Sequence, residues 1–215
     1  FMKLIILLIA LVGCTQAPTT EAPKPIESKP ALAAGWPKEY NEIIAIEVHK
    51  TELLSMNAKR MNFCPKWDAL ATTQKAKEIA HLFHGVAVFE SALKPNSRMT
   101  ETTMGIDPIT KRQVASEGLL QLSYQDGQNY SGCKGIDWSK DKDLAVDDLK
   151  RTIFQPEVQF SCALYITNRI MTKRDEPMLG VGKIGAGRYW LVLREDKKWP
   201  QIKSKMKEYG SECFL

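Results

Sequence analysis

The stretch His81-Leu82-Phe83-His84-Gly85-Val86-Ala87-Val88-Phe89-Glu90-Ser91 is an apolar run that ends on an acid and a serine. Its spacing predicts a helix from about Thr73 to Leu93, stopped by Pro95. A carboxyl among such side chains loses hydration, which disfavours its charged form and raises its pKa. A carboxylic acid still protonated near neutral pH can donate a proton to a leaving group. The competing reading is that Glu90 merely ends an amphipathic helix and faces water. His81 and His84 lie on the same helix. Without a His-Glu-x-x-His arrangement or a nearby Cys they read as packing or surface residues, so no metal site is expected.

Asn96 to Ser116 is rich in Thr, Ser, Gly, Pro and charge. Asp107-Pro108 is a turn signal among the strand-type residues Ile106, Ile109 and Val114, which predicts a small β-hairpin or irregular lobe beside a cleft. Glu117-Gly118-Leu119-Leu120-Gln121-Leu122 follows. Gly118 would allow close backbone approach to a ligand. Gln121 could hydrogen-bond a sugar substituent or a loop backbone.

Helical spacing also predicts a first helix from near Trp36 to about Met56, one over Val158 to Met171, and one over Ile184 to Leu193. A last one covers Pro200 to Tyr209. Ser123 to Tyr130 reads as a short helix, and the charged run Lys140 to Arg151 as a solvated surface segment. The expected class is α+β, mainly helical, with a small hairpin lobe.

Glu90-Ser91, a loop, and then Gly118-Leu119-Leu120-Gln121 together resemble the core of the soluble-type lytic transglycosylases, relatives of goose-type lysozyme. Leu120 stands where that family usually has Met. The resemblance spans roughly Ala76 to Arg194. It implies a lysozyme-like domain in which Glu90 cleaves peptidoglycan between N-acetylmuramic acid and N-acetylglucosamine. Ser91, Gly118 and Gln121 would contact the glycan. Tyr189, in Gly185-Ala186-Gly187-Arg188-Tyr189-Trp190, is the candidate for the family's tyrosine beside the acid. The match there is loose, since Trp190 replaces the usual Asn. Matching Ala186-Gly187 to the family's Ala-Gly would put Ile184 at the Tyr position.

A transglycosylase uses the sugar's own 6-hydroxyl, and a lysozyme uses water, usually with a second carboxylate. Glu117 could be such a second group, and a surface ion pair or loop cap is an equal reading of it. Asp107, Glu101 and Asp126 are weaker candidates. No cofactor is expected. The rival functions are a glycan-binding lipoprotein that does not cut, and a glycosidase for chitin-like or de-acetylated glycan.

Met2-Lys3 and the short apolar run Leu4 to Val12 read as a signal peptide, residues 1–13. Leu11-Val12-Gly13-Cys14 resembles a lipobox, making Cys14 a lipidation site and 14–35 a Pro-rich tether. Thr15 after it favours the outer membrane. The folded domain is expected over 36–215, as a monomer in the periplasm held to the membrane by lipid. The chain has 215 residues and a net charge of +5, or +4 without Lys3. That suits an anionic envelope polymer and is too mild for a nucleic-acid binder. Cys64, Cys133, Cys162 and Cys213 allow three pairings in an exported protein. The preferred ones are Cys133–Cys162, tying a loop to the core helix, and Cys64–Cys213, pinning the C-terminus. Zinc lacks the C-x-x-C spacing it would need.

Overall fold

The computed structural model describes residues 36–215, so the leader, Cys14 and the tether lie outside the described residues. Within that span the fold is α+β and mainly helical, with one small antiparallel hairpin. Its helices are α1 (Lys38–Val48), α2 (Thr72–Ser91), α3 (Tyr124–Asn129), α4 (Trp138–Asp141), α5 (Pro156–Arg174) and α6 (Trp199–Glu208). No described helix is long and apolar enough to cross a membrane.

α2 runs through the middle. Ile79, Leu82, Phe83, Val86 and Ala87 are all buried, and α1 and α6 pack on two of its sides. Apolar residues on most faces are what a helix surrounded by protein needs. α6 approaches closely because Gly85 has no side chain. A Cβ there would lie 2.6 Å from Ile202 Cγ2. The helix ends abruptly after Glu90-Ser91, where Ala92 and Leu93 both turn left-handed (φ 52° and 61°). Left-handed backbone at two successive non-glycine residues is strained and persists only where surrounding contacts impose it. Here it stops the helix one turn short of Pro95.

α1 stops at Val48, not near Met56. The Thr51 hydroxyl bonds the Val48 carbonyl (2.7 Å), and a 3₁₀ turn, Leu53–Ser55, follows. Ile184 to Leu193 is not a continuous helix either. It forms two 3₁₀ turns, Gly185–Arg188 and Leu191–Leu193. The Ala186 amide bonds the Met178 carbonyl (3.0 Å), which holds this segment against the preceding chain.

The lobe pairs β1 (Arg98–Thr100) with β2 (Ala115–Glu117) in the register Arg98↔Glu117, Met99↔Ser116, Thr100↔Ala115. Between them, Asp107 Oδ1 accepts from the Ile109 and Thr110 amides, and Oδ2 accepts from the Gln125 amide of α3. One aspartate thus shapes the turn and fixes the lobe to the helical body. The charged run after Lys140 is not solvated throughout, since Asp141 and Arg151 are both buried. Asp141 holds the loop by accepting from the Tyr124 hydroxyl (2.8 Å), the Thr152 amide (2.8 Å) and the Thr152 hydroxyl (2.6 Å).

Two disulfides join Cys64 to Cys213 and Cys133 to Cys162, the pairing the sequence favoured. The second closes a loop of 29 residues, and in the chain-entropy model such a loop contributes about 3–4 kcal/mol. Near the first, the Ser211 hydroxyl and the Glu212 amide both donate to buried Glu78 on α2. The C-terminus is therefore fastened by a covalent bond to the segment before α2 and by a carboxylate to α2 itself.

Candidate active site

Glu90 sits on the last turn of α2, half-buried. Its carboxyl is pushed up to about 7, first by loss of hydration and then by the nearby charge of Glu101. Glu101 directly follows β1, and the ladder continues through it, since its amide donates to the Val114 carbonyl (2.8 Å). Its carbonyl accepts from Gln113 Nε2 (2.6 Å), and its carboxylate accepts from the Ser116 hydroxyl (2.6 Å). A residue on the lobe, held at backbone and side chain, thus brings a second carboxylate to the end of α2. An acid of raised pKa can hold and give a proton near neutral pH, and the nearby carboxylate helps to keep that proton in place.

Glu117, the possible second carboxylate of the sequence, is buried in ion pairs, its other reading. Arg151 Nη1 donates to its Oε2 at 2.6 Å, and Arg98 Nε to its Oε1 at 3.3 Å. Burial pushes the Glu117 carboxyl up, and both guanidinium groups act against that. Glu117, Arg98, Arg151 and Asp107 line a small polar pocket with room for about 20 Å³, whose lining includes neither Glu90 nor Glu101.

Ser91 is buried and its hydroxyl donates to the Ala87 carbonyl (2.9 Å), one turn back on its own helix. Gly118 has φ +82°, and a Cβ there would lie 2.4 Å from Gln159 Nε2. The close approach this glycine permits is therefore to Gln159. Gln121, also left-handed (φ 53°), donates to the Gly118 carbonyl (2.8 Å), so its amide closes the loop from within. Gln159 on α5 escaped the sequence reading. Its Oε1 accepts from the Leu120 amide (2.8 Å), and its Nε2 donates to the Glu117 (3.2 Å) and Ile153 (2.6 Å) carbonyls. A lone glutamine beside Phe160 and Cys162 on a core helix was the available signal.

Tyr189 follows the first 3₁₀ turn, and burial, with the Asp126 carboxylate next to it, holds its phenol protonated. Its hydroxyl donates to Asp126 Oδ2 at 2.5 Å. Structure thus brings Glu101 towards Glu90, joins Tyr189 to Asp126, and places Glu117 in the supporting framework. Among the described residues no group of His, Cys, Asp and Glu could hold a metal ion.

The described residues define a mainly helical α+β domain whose central helix ends on a carboxylic acid of raised pKa faced by a second carboxylate. Solved structures of one protein, Bd0314 DslA, are similar. Its wild-type chain is 28% identical, with 80% of this chain and 90% of that chain covered, at a TM-score of 0.63. A glutamate-to-glutamine mutant of it gives 27%, 82%, 91% and 0.63, and a second such mutant gives 26%, 80%, 90% and 0.61. The two replaced glutamates are eleven positions apart in that protein, and Glu90 and Glu101 are eleven apart here. No family model matches the sequence, and no curated protein matches it.

Proposed function

We propose that this chain is a glycosidase that cleaves peptidoglycan strands between N-acetylmuramic acid and N-acetylglucosamine. In this reading Glu90 protonates the glycosidic oxygen and then, as a carboxylate, acts as base. The observation that carries it is the Glu90 carboxyl, held protonated to about 7 at the end of a core helix with Glu101 beside it. A pure binding protein gains nothing from a desolvated acid. Resemblance to the soluble-type lytic transglycosylases and goose-type lysozymes supports the substrate class. The matching spacing of two replaced glutamates in the similar solved structures supports the pair.

Glu101 favours a lysozyme-type outcome over anhydro-ring closure, because a second carboxylate can orient or deprotonate water. One Glu101 oxygen takes the Ser116 bond, and the other accepts no bond from the described residues. The same oxygen would suit an ammonium, so de-acetylated glycan is the second substrate reading. The protein would act as a monomer on the envelope polymer, anchored through Cys14 and its acyl chains in the outer membrane. Digestion of purified sacculi followed by mass spectrometry tests this. Reducing sugars support hydrolysis, and anhydro sugars support transglycosylation. Intact glycan, acetylated and de-acetylated alike, would return the chain to glycan binding without cleavage.

A further inference from the structure

Trp138 lines two concavities, the small polar pocket and an open groove with room for about 440 Å³. Tyr124, Ile109 and Ile136 line the groove with it, and Gln128 and Lys142 add an amide and an ammonium. Neither Glu90 nor Glu101 lines the groove, so it lies outside the candidate active site.

The indole rides on α4, a four-residue helix fixed at both ends. Before it, the Asp137 amide donates to the Thr152 hydroxyl (2.9 Å), and the Asp137 carboxylate accepts from the Ser139 amide (3.0 Å). At its end, Asp141 is the buried acceptor for Tyr124 and Thr152. The Tyr124 ring meets the indole edge-on at 5.0 Å, and the Arg112 guanidinium carbon lies 5.3 Å from the indole ring centre. A ring held this firmly is nevertheless only half-buried. Its N–H is not buried and has no hydrogen-bond partner among the described residues. The apolar C–H face of a pyranose packs on such a ring, and its hydroxyls and amide need polar partners at the ring's edge.

Charge narrows the ligand. Each carboxylate that lines the groove or the pocket is already engaged: Asp107 by three amides, Asp137 by Ser139 and Lys140, Asp141 by Tyr124 and Thr152, and Glu117 by Arg98 and Arg151. Arg112 lines the pocket and Lys142 lines both concavities. Both are exposed, and the ion pairs nearby join Lys140, Arg98 and Arg151 to their acids, leaving Arg112 and Lys142 without one among the described residues. Two unmatched cations beside an aromatic groove favour a sugar that carries a carboxylate over a neutral one.

We propose that this groove is a second glycan site, which takes a carboxylate-bearing amino sugar with its ring on Trp138 and its acid group towards Arg112 and Lys142. Peptidoglycan as the source of that sugar rests on the reading of the chain as a cell-wall glycosidase; the chemistry of the groove does not. A strand held there would stay with the protein between cuts at Glu90.

The test follows the indole N–H signals of the parent protein by NMR, which needs no activity. Trp138→Phe identifies the Trp138 signal by its loss. If that variant does not fold, Arg112→Gln marks the same signal by removing the cation over the ring. N-acetylmuramic acid should shift it. N-acetylglucosamine, which lacks the acid, should need roughly two- to ten-fold more sugar for the same shift. Arg112→Gln combined with Lys142→Gln, both on exposed side chains, should erase that difference. A Trp138 signal that neither sugar moves overturns the site. An equal response to both sugars in the parent, or a preference that survives the double substitution, overturns the role of the two cations. Shifts at Trp138 with sacculi left intact would fault the enzyme reading and leave the groove standing. Cleaved sacculi with an unmoved Trp138 would do the reverse.

Discussion

Arg151 Nη1 lies 2.6 Å from Glu117 Oε2, and both side chains are almost wholly buried. The pair joins the strand before the Gly118 loop to the segment before α5. Arg151 Nη1 also donates to the Val146 carbonyl, and Nη2 to the Tyr124 hydroxyl (2.8 Å). Removing one member of such a pair leaves the other charge buried and unpaired, at a cost of about 3–5 kcal/mol. Glu117→Gln should therefore lower the melting temperature markedly. At temperatures where the variant is folded, its rate and products should stay near those of the parent. A change of product type with stability intact would restore Glu117 to the chemistry.

Glu90→Gln keeps shape and removes the transferable proton. Turnover of cell-wall glycan should fall by about 10²–10⁴-fold, the usual worth of a general acid. The melting temperature should not fall, because the amide avoids the desolvation that the ionised acid suffers. A rate within a few-fold of the parent would remove Glu90 from the mechanism.

Glu101→Gln should move the alkaline limb of the activity profile to lower pH. The sign follows from like-charge repulsion: ionised Glu101 disfavours ionisation of Glu90 and helps hold it up at about 7. Without that charge Glu90 ionises earlier, and less of it is protonated at neutral pH. Full pH–rate curves for parent and variant decide this. An unmoved limb would mean that desolvation alone sets Glu90.

His84 should make the fold acid-sensitive. It is fully buried between Trp36 and Tyr209, with ring centres 4.7 Å and 4.2 Å away, and neither ring nitrogen has a hydrogen-bond partner among the described residues. Burial, then His81 and Lys205, depress it from 6.5 to about 4. The unfolded chain takes up a proton first, so stability is complete above pH 6.5 and declines as pH falls towards 4. A shift of that size corresponds to at most about 3 kcal/mol. Glu78, held below its ordinary value by His81, Ser211 and Glu212 against the opposing effect of burial, adds a further loss below about pH 4.5. Urea melts at pH 7.5 and pH 5 measure the effect, which His84→Phe should largely abolish.

Sequence made the central helix legible because its apolar residues cover most faces, a pattern only a surrounded helix sustains. The disulfides were legible because cysteine has one kind of partner and four of them leave few pairings. Sequence left Glu117 open between a second carboxylate and an ion-pair member, because its partners, Arg98 and Arg151, stand far off in sequence among many possible cations. Glu101 was underrated because it sits in a polar lobe where every residue reads as solvated. Only the turn bound by Asp107 and the Glu101–Ser116 bond place it at the end of α2. The segment around Tyr189 has helical spacing but gives its backbone bonds to Met178, a tertiary choice invisible to periodicity.

Cys64 and Cys213 enclose every group named here from His81 to Tyr189 within one closed ring of chain. The turn 102–105 on the lobe is exposed and so is the natural place for a protease to cut. A molecule severed there would remain one covalent body, with Glu90 on one piece and Tyr189 on the other. It would migrate as a single band until a reductant is added, then as two.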